Sequence, residues 1–163
     1  PIYADILNYV SLGVLLNIPD NNFRQLIDYV KQMDKQAKPS GWTPDLLLWF
    51  MLNSRMKEQE KQKYAETLAY PRLYNGLYKV IQAPNAAAAK DTLNKYLDRW
   101  YNLNSNAPWY NSHLKDNSYR GYWAWEVAAV AKIMHIDDSD LKNNQYYPYD
   151  MVHWADNETT AKE

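Results

Sequence analysis

The 163-residue sequence predicts an all-α fold, a compact bundle of about six to eight helices built from helical hairpins. Apolar residues recur at intervals of three and four along most of the chain, and nowhere does sustained period-two alternation argue for a sheet. Pro, Gly and Asn clusters separate these periodic stretches at lengths that suit helices. No tandem repeat is strong enough for a solenoid. One helical domain is expected over 1–156, followed by a disordered tail at 157–163.

The first helix is expected over Tyr3 to Ile18, where Ile6, Val10, Gly13, Val14 and Asn17 share a stripe that Leu7 and Leu15 broaden into a mostly buried helix. Pro19 stops it, and Asp20 is the expected cap of a second helix carrying Phe23, Leu26, Ile27, Val30 and Asp34 at helical spacing. Its other face carries Arg24, Asp28, Lys31 and Lys35, as an amphipathic surface helix should. After the loop at Pro39, Ser40 and Gly41, Thr43 offers a cap and Pro44 a preformed first turn for a third helix. Met56 to Gln62 reads as a helix extension or a loop, and a break is expected at Pro71 between Leu68 and Leu73.

Pro84 and Asn85 begin the next helix, Ala86 to Asn102, with Leu93, Tyr96, Leu97, Trp100 and Tyr101 in register. Asn104 to Ser118 reads as a long loop pinned by Trp109 and Tyr110. Helical periodicity returns from Tyr119 to His135, with Tyr122, Glu126, Ala129, Val130 and Ile133 on one face. Small Ala128, Ala129 and Ala131 there let a neighbouring helix approach. A short turn at Asp137 to Leu141 and a segment after Pro148 close the domain.

Composition narrows the function. The absence of Cys excludes disulfides and thiolate metal sites, so a reducing cytoplasm suits the chain. The longest apolar run, Leu46 to Leu52, is far short of the roughly 20 residues a spanning helix needs, and no membrane partner is expected. The chain starts at Pro1 without Met, which leaves room for a preceding signal or domain. Charge is uneven: residues 1–115 hold 14 Lys/Arg against 10 Asp/Glu, net +4, whereas residues 116–163 hold 4 against 9, net −5. Such an asymmetry steers association, and the acidic part argues against direct nucleic-acid binding. A solvated surface with an acidic tail explains it equally well.

Catalytic and metal signatures are missing. His113, His135 and His153 are isolated, without the i, i+4 pairing of a zinc helix, so no metal or cofactor is expected. Asp137, Asp138 and Asp140 lack the Gly and the terminal Glu of a calcium loop, and capping explains them more simply. With glycine only at Gly13, Gly41, Gly76 and Gly121, no phosphate-cradling loop or nucleophile elbow can be drawn. Glu126 falls on an apolar face, where a carboxylate must be satisfied by a Tyr hydroxyl, an indole N–H or an Arg; that structural role outweighs a catalytic acid. Tyr146, Tyr147, Pro148 and Tyr149 form a lid on the core, a carbohydrate platform or a protein-binding edge.

One resemblance is specific in order and spacing. The segment containing Tyr119, Gly121, Tyr122, Trp123, Glu126 and the alanines up to Ala131 is followed by Ile136 to Ser139, Leu141-Lys142 and Tyr146 to His153. Together they resemble the C-terminal domain of the PoNi immunity family, with Tyr96 to Tyr101 and Trp109 to His113 similar to its upstream pattern and Tyr3 to Asn17 a looser match. The resemblance implies a helical, non-enzymatic cytoplasmic protein. Members bind and block cognate PoNe-type toxins, which are DNases of the polymorphic toxin systems used in bacterial competition. They often carry a further helical N-terminal domain, which this chain is expected to lack.

On that reading an acidic surface occupies the basic cleft a nuclease uses for DNA, so Asp116, Asp137, Asp138, Asp140 and Asp150 are the candidate toxin contacts. The motif residues Tyr119, Gly121, Tyr122, Trp123, Glu126, Tyr146, Tyr147, Pro148 and Tyr149 are assigned to scaffold, leaving partner choice to Met56–Lys63 and Asn104–Asn117. Expected with it are no deep pocket and a convex or shallow acidic face. The alternative is a helical carbohydrate-binding or hydrolytic domain using the Tyr/Trp surface around Glu126, which expects a pocket with convergent polar groups near Glu126 and Tyr147.

Overall fold

The computed structural model describes residues 2–115, 119 and 121–156; Asp116 and the expected tail at 157–163 lie outside them. Among the described residues there are seven α-helices and no strand: α1 Ile2–Leu15, α2 Asp20–Gln36, α3 Leu46–Asn53, α4 Pro71–Ile81, α5 Ala86–Leu103, α6 Trp125–Ile133 and α7 Tyr149–His153. Short 3-10 turns at Glu58–Glu60, Ser112–Leu114 and Ser139–Leu141 join them. No helix here is long and apolar enough to cross a membrane.

Most of the expected α1 stripe is buried, with Ile6, Leu7, Val10, Gly13, Val14 and Leu15 in the core, but the helix expected to Ile18 ends at Leu15, and Asn17, at φ 48°, is exposed. α1 packs chiefly on α6 and also on α3. Ala128, Ala129 and Ala131 are essentially inaccessible, and their lack of bulk lets the backbones come close. α3 is apolar on every side and correspondingly central, with Leu47, Leu48, Trp49, Met51 and Leu52 buried. α4 pairs with α5 at a point where Gly76 faces the ring of Tyr96. The C-terminal end of α1 is closed from afar: Lys132 Nζ and Trp154 Nε1 both donate to the Leu15 carbonyl, at 2.9 and 2.8 Å.

Three local expectations change. Asp20 is the first residue of α2 and not its cap; Pro19 holds the cap position without a side-chain bond, and Asp20 pairs with Arg55 at 2.6 Å. α3 is capped by Asp45, two residues beyond Thr43, because the Asp45 carboxylate accepts from Leu48 N and also from Tyr3 OH and Ala69 N, each at 2.8 Å. The helix expected from Tyr119 begins only at Trp125. Gly121 has φ +85°, a left-handed conformation that no helix contains, and a Cβ there would sit 2.7 Å from Trp123 Nε1.

Pro71 begins α4 and so marks the expected break, while Asn85 caps α5 by accepting from Ala88 N at 2.8 Å.

Candidate functional site

A cavity of about 650 Å³ opens between the start of α1, the start of α4, the end of α5 with its following loop, and the Gly121–Glu126 segment. The immunity reading expected no deep pocket; packing bulky rings from four separate stretches leaves this space between them. Its lining is rich in rings, with the indoles of Trp100, Trp109, Trp123 and Trp125 and the phenols of Tyr3, Tyr70 and Tyr74. Trp100 stacks on Trp109 with ring centroids 5.4 Å apart, and Tyr3 meets Tyr70 at 4.9 Å.

The loop after α5 is held as its aromatic residues predict. Trp109 lies on Trp100, Tyr110 on Tyr101 at 4.6 Å, and Tyr101 OH donates to Asn111 Oδ1 at 2.7 Å. Tyr122 packs against Tyr101 at 5.0 Å, and its hydroxyl accepts from His113 N at 3.0 Å. Exposed Tyr119 leans edge-on to Tyr122 at 5.1 Å. Trp123 is 45% exposed and folds over Gly121 at the cavity wall.

Glu126 stands in the first turn of α6, buried to 6% exposure, and lines the cavity. The sequence anticipates an indole N–H as one possible partner, and Trp100 Nε1 donates to its Oε1 at 2.6 Å. Burial raises the Glu126 pKa, and the Trp100 bond offsets only part of that rise. Among the described residues no Lys or Arg forms an ion pair with it. Beside it, Trp125 has a buried indole N–H that finds no acceptor among the described residues. Asp5 and Arg72, both exposed, complete the charged lining.

The acidic run behaves differently from a free anionic face. Asp138 is only 6% exposed; its carboxylate accepts from Tyr147 OH at 2.7 Å and bonds His153 Nε2 at 2.9 Å, so it cannot reach a partner. Asp137 and Asp140 are on the surface, yet both pair with Lys90 at 3.1 Å, which removes part of their field. Asp137 also caps the following turn, accepting from Ser139 N and Oγ, and these bonds with Lys90 lower its pKa to about 2. Asp150 is exposed in the first turn of α7. Asp116 is outside the described residues.

The Tyr146–Tyr149 stretch packs onto the core as a lid would. Tyr146 stacks on Tyr101 at 5.4 Å while its carbonyl accepts from Ala124 N; Tyr147 and Pro148 are buried, and Tyr149 covers His153 at 4.4 Å. Tyr147 therefore takes no part in the cavity, contrary to the alternative reading. Around Met56–Lys63 the charges pair with one another: Glu58 with Lys61 at 2.8 Å and with Lys63 at 3.6 Å, and Glu60 with Arg24 at 3.3 Å.

Sequence reasoning did not find Asp34 and Asp45 as polar hubs. Asp34 accepts from Trp42 Nε1 and Trp49 Nε1 at 2.7 Å and from Tyr64 OH at 2.6 Å. Nor did it place Tyr3, Tyr70 and Tyr74 beside Glu126; no spacing within one element could. No curated protein and no solved structure matches the chain. The family model described as PoNe immunity proteins (PoNi), C-terminal, matches residues 43–151, from the approach to α3 through most of α7, and the chain belongs to that family.

Proposed function

We propose that this protein is an immunity protein of the bacterial cytoplasm that binds a cognate PoNe toxin, a DNase, and neutralises it by covering its active or substrate-binding surface. The family match over residues 43–151 carries the reading. The chain works by binding and needs no cofactor. Of the acidic candidates, Asp137, Asp140 and Asp150 remain available for contact and Asp138 does not. Because Lys90 already compensates two of these, electrostatic masking of a DNA cleft is one contribution among others. Co-expression with the toxin encoded beside it is the direct test. Restored growth and a co-purifying complex are expected; no rescue and no complex would reject the assignment.

The cavity is the specific observation that favours the second reading, a carbohydrate-binding or hydrolytic domain. Indole faces suit sugar rings, but glycoside hydrolysis needs two carboxyl groups held across the scissile bond. Here Glu126 is buried against Trp100 and the other lining carboxylate, Asp5, is exposed on α1. A glycan array with the intact protein separates the two readings, since only the second expects saturable binding.

A further inference from the structure

We infer that the aromatic cavity is an anchor pocket for an arginine or lysine side chain presented by a loop of the toxin, with Glu126 as its counter-charge. The inference rests on the immunity reading and adds to it the chemistry of the contact.

The interior carboxylates provide the comparison. Asp45 has three donors within 2.8 Å, and Asp138 has Tyr147 and His153. Glu126 is similarly buried but, among the described residues, has Trp100 as its single side-chain hydrogen-bond partner and no cation paired with it. An ionised carboxylate in that position is costly until a charge arrives to pair with it. The cavity that reaches Glu126 is walled by indole and phenol rings, whose faces attract guanidinium and ammonium groups. Asp5 and Glu126 against Arg72 leave its lining net acidic.

A sugar or a neutral apolar group would use the rings but not the charge. A free organic cation would use both, yet would fill only part of the space. A peptide segment supplies a cationic side chain with its aliphatic stem, and flanking residues to lie along the rings. The volume of about 650 Å³ also exceeds what one side chain fills and accommodates neighbouring residues of a loop. Nuclease toxins must display basic side chains toward phosphate, so a loop of this kind is available on the partner.

Two arms test it on the full chain. In the first, N-acetylarginine amide and its neutral isostere N-acetylcitrulline amide are titrated while the indole N–H resonances are followed by NMR. Shifts at Trp100 and Trp125 with the arginine probe, at least about tenfold weaker with citrulline and lost in Glu126→Gln, are expected. Equal shifts with both probes, or none with either, overturn the pocket. In the second arm, Glu126→Gln and the mouth-filling Ala4→Trp each weaken toxin binding by about tenfold or more. Thermal melts check both variants, and Asn106→Trp, on the exposed loop of the lining, replaces Ala4→Trp if that variant does not fold. Toxin bound equally by wild type and folded variants removes the anchor and leaves the immunity reading intact. Toxin not bound by wild type at all removes both.

Discussion

Glu126 illustrates how this chain settles its interior carboxylates: each accepts from an aromatic donor, with His153 added at Asp138. Trp100 serves Glu126, Tyr147 serves Asp138, Tyr3 serves Asp45, and two indoles with Tyr64 serve Asp34. Each pair ties an acidic side chain to a ring that is itself part of the packing, so polar satisfaction and apolar burial come from the same residues. Replacing Glu126 by Leu leaves Trp100 Nε1 without an acceptor and is expected to cost about 1–3 kcal/mol in urea unfolding. Glu126→Gln keeps the acceptor and should lie near wild type. Its pH response should differ, however. The folded pKa of Glu126 is raised, so its stabilising contribution is complete below the unfolded value and is lost as pH rises through the folded one. The Gln variant should therefore lose less stability than wild type when thermal melts are followed upward from acid pH.

Among the elements, α4 and α5 depend on one missing side chain. A Cβ at Gly76 would stand 2.8 Å from Tyr96 Cδ2, and that ring cannot give way easily: it is buried and its hydroxyl donates to the Leu73 carbonyl at 2.6 Å. Gly76→Ala should lower stability by about 1–3 kcal/mol despite the better helix propensity of alanine, measured by chemical denaturation. α7 depends on His153, whose ring bonds Asp138 through Nε2 and Asp156 through Nδ1. Burial opposes the imidazolium, but the bonds to Asp156 and Asp138 outweigh it and raise the pKa. The anchorage is thus fully present below the unfolded histidine pKa and weakens as pH rises through the raised folded value. An NMR titration should show the His153 midpoint above that of an unstructured histidine, with hydrogen exchange in α7 accelerating beyond it. A midpoint at or below the unstructured value would remove this account.

Most elements are legible in the sequence because α2 and α5 each bury one stripe and their punctuation is local: Pro19, Asn85 and Pro71 act within a turn of themselves. Tyr119 to Trp125 misleads for a related reason. Tyr122 and Glu126 are four apart, as on a helix, yet Gly121 takes a left-handed conformation and Trp123 folds back over it. The signal was Gly121 itself, the one glycine of that stretch. Asp34 shares the stripe of Ile27 and Val30 and so reads as a polar end to the helix; nothing in α2 announces that Trp42, Trp49 and Tyr64 converge on it.

For the whole molecule, charge counts and charge placement give different pictures. The acidic C-terminal part is evident from composition, but Asp138 turns inward and Lys90, from α5, meets Asp137 and Asp140. Asp137→Lys with Asp140→Lys would leave Lys90 facing two like charges and reverse the surface. Association with the toxin should slow by about tenfold at low salt and converge with wild type at high salt in stopped-flow measurements. An unchanged association rate at low salt would exclude this face. A pocket near Glu126 is expected from the sequence only on the carbohydrate or hydrolytic reading, and with Tyr147, which its actual lining does not include. Its walls come from residues 3–8, 70–74, 100–109 and 121–126, and only the assembled packing brings Tyr3 and Tyr74 to the side of Glu126.

The closure of the α1 terminus also bears on how the chain is made. Leu15 O waits for Lys132, 117 positions later, and for Trp154, 139 positions later. While the chain emerges from a ribosome, α1 precedes its principal neighbour, α6, by the whole stretch from Leu15 to Trp125. The apolar stripe of α1 can meet α3 early, but its contact with α6 waits for those later residues. Such pairing is slow to find, since the loop entropy is spent before any contact repays it. The closed α1 terminus thus forms only once Lys132 and Trp154 have both been made, whatever the order in which the other helices settle.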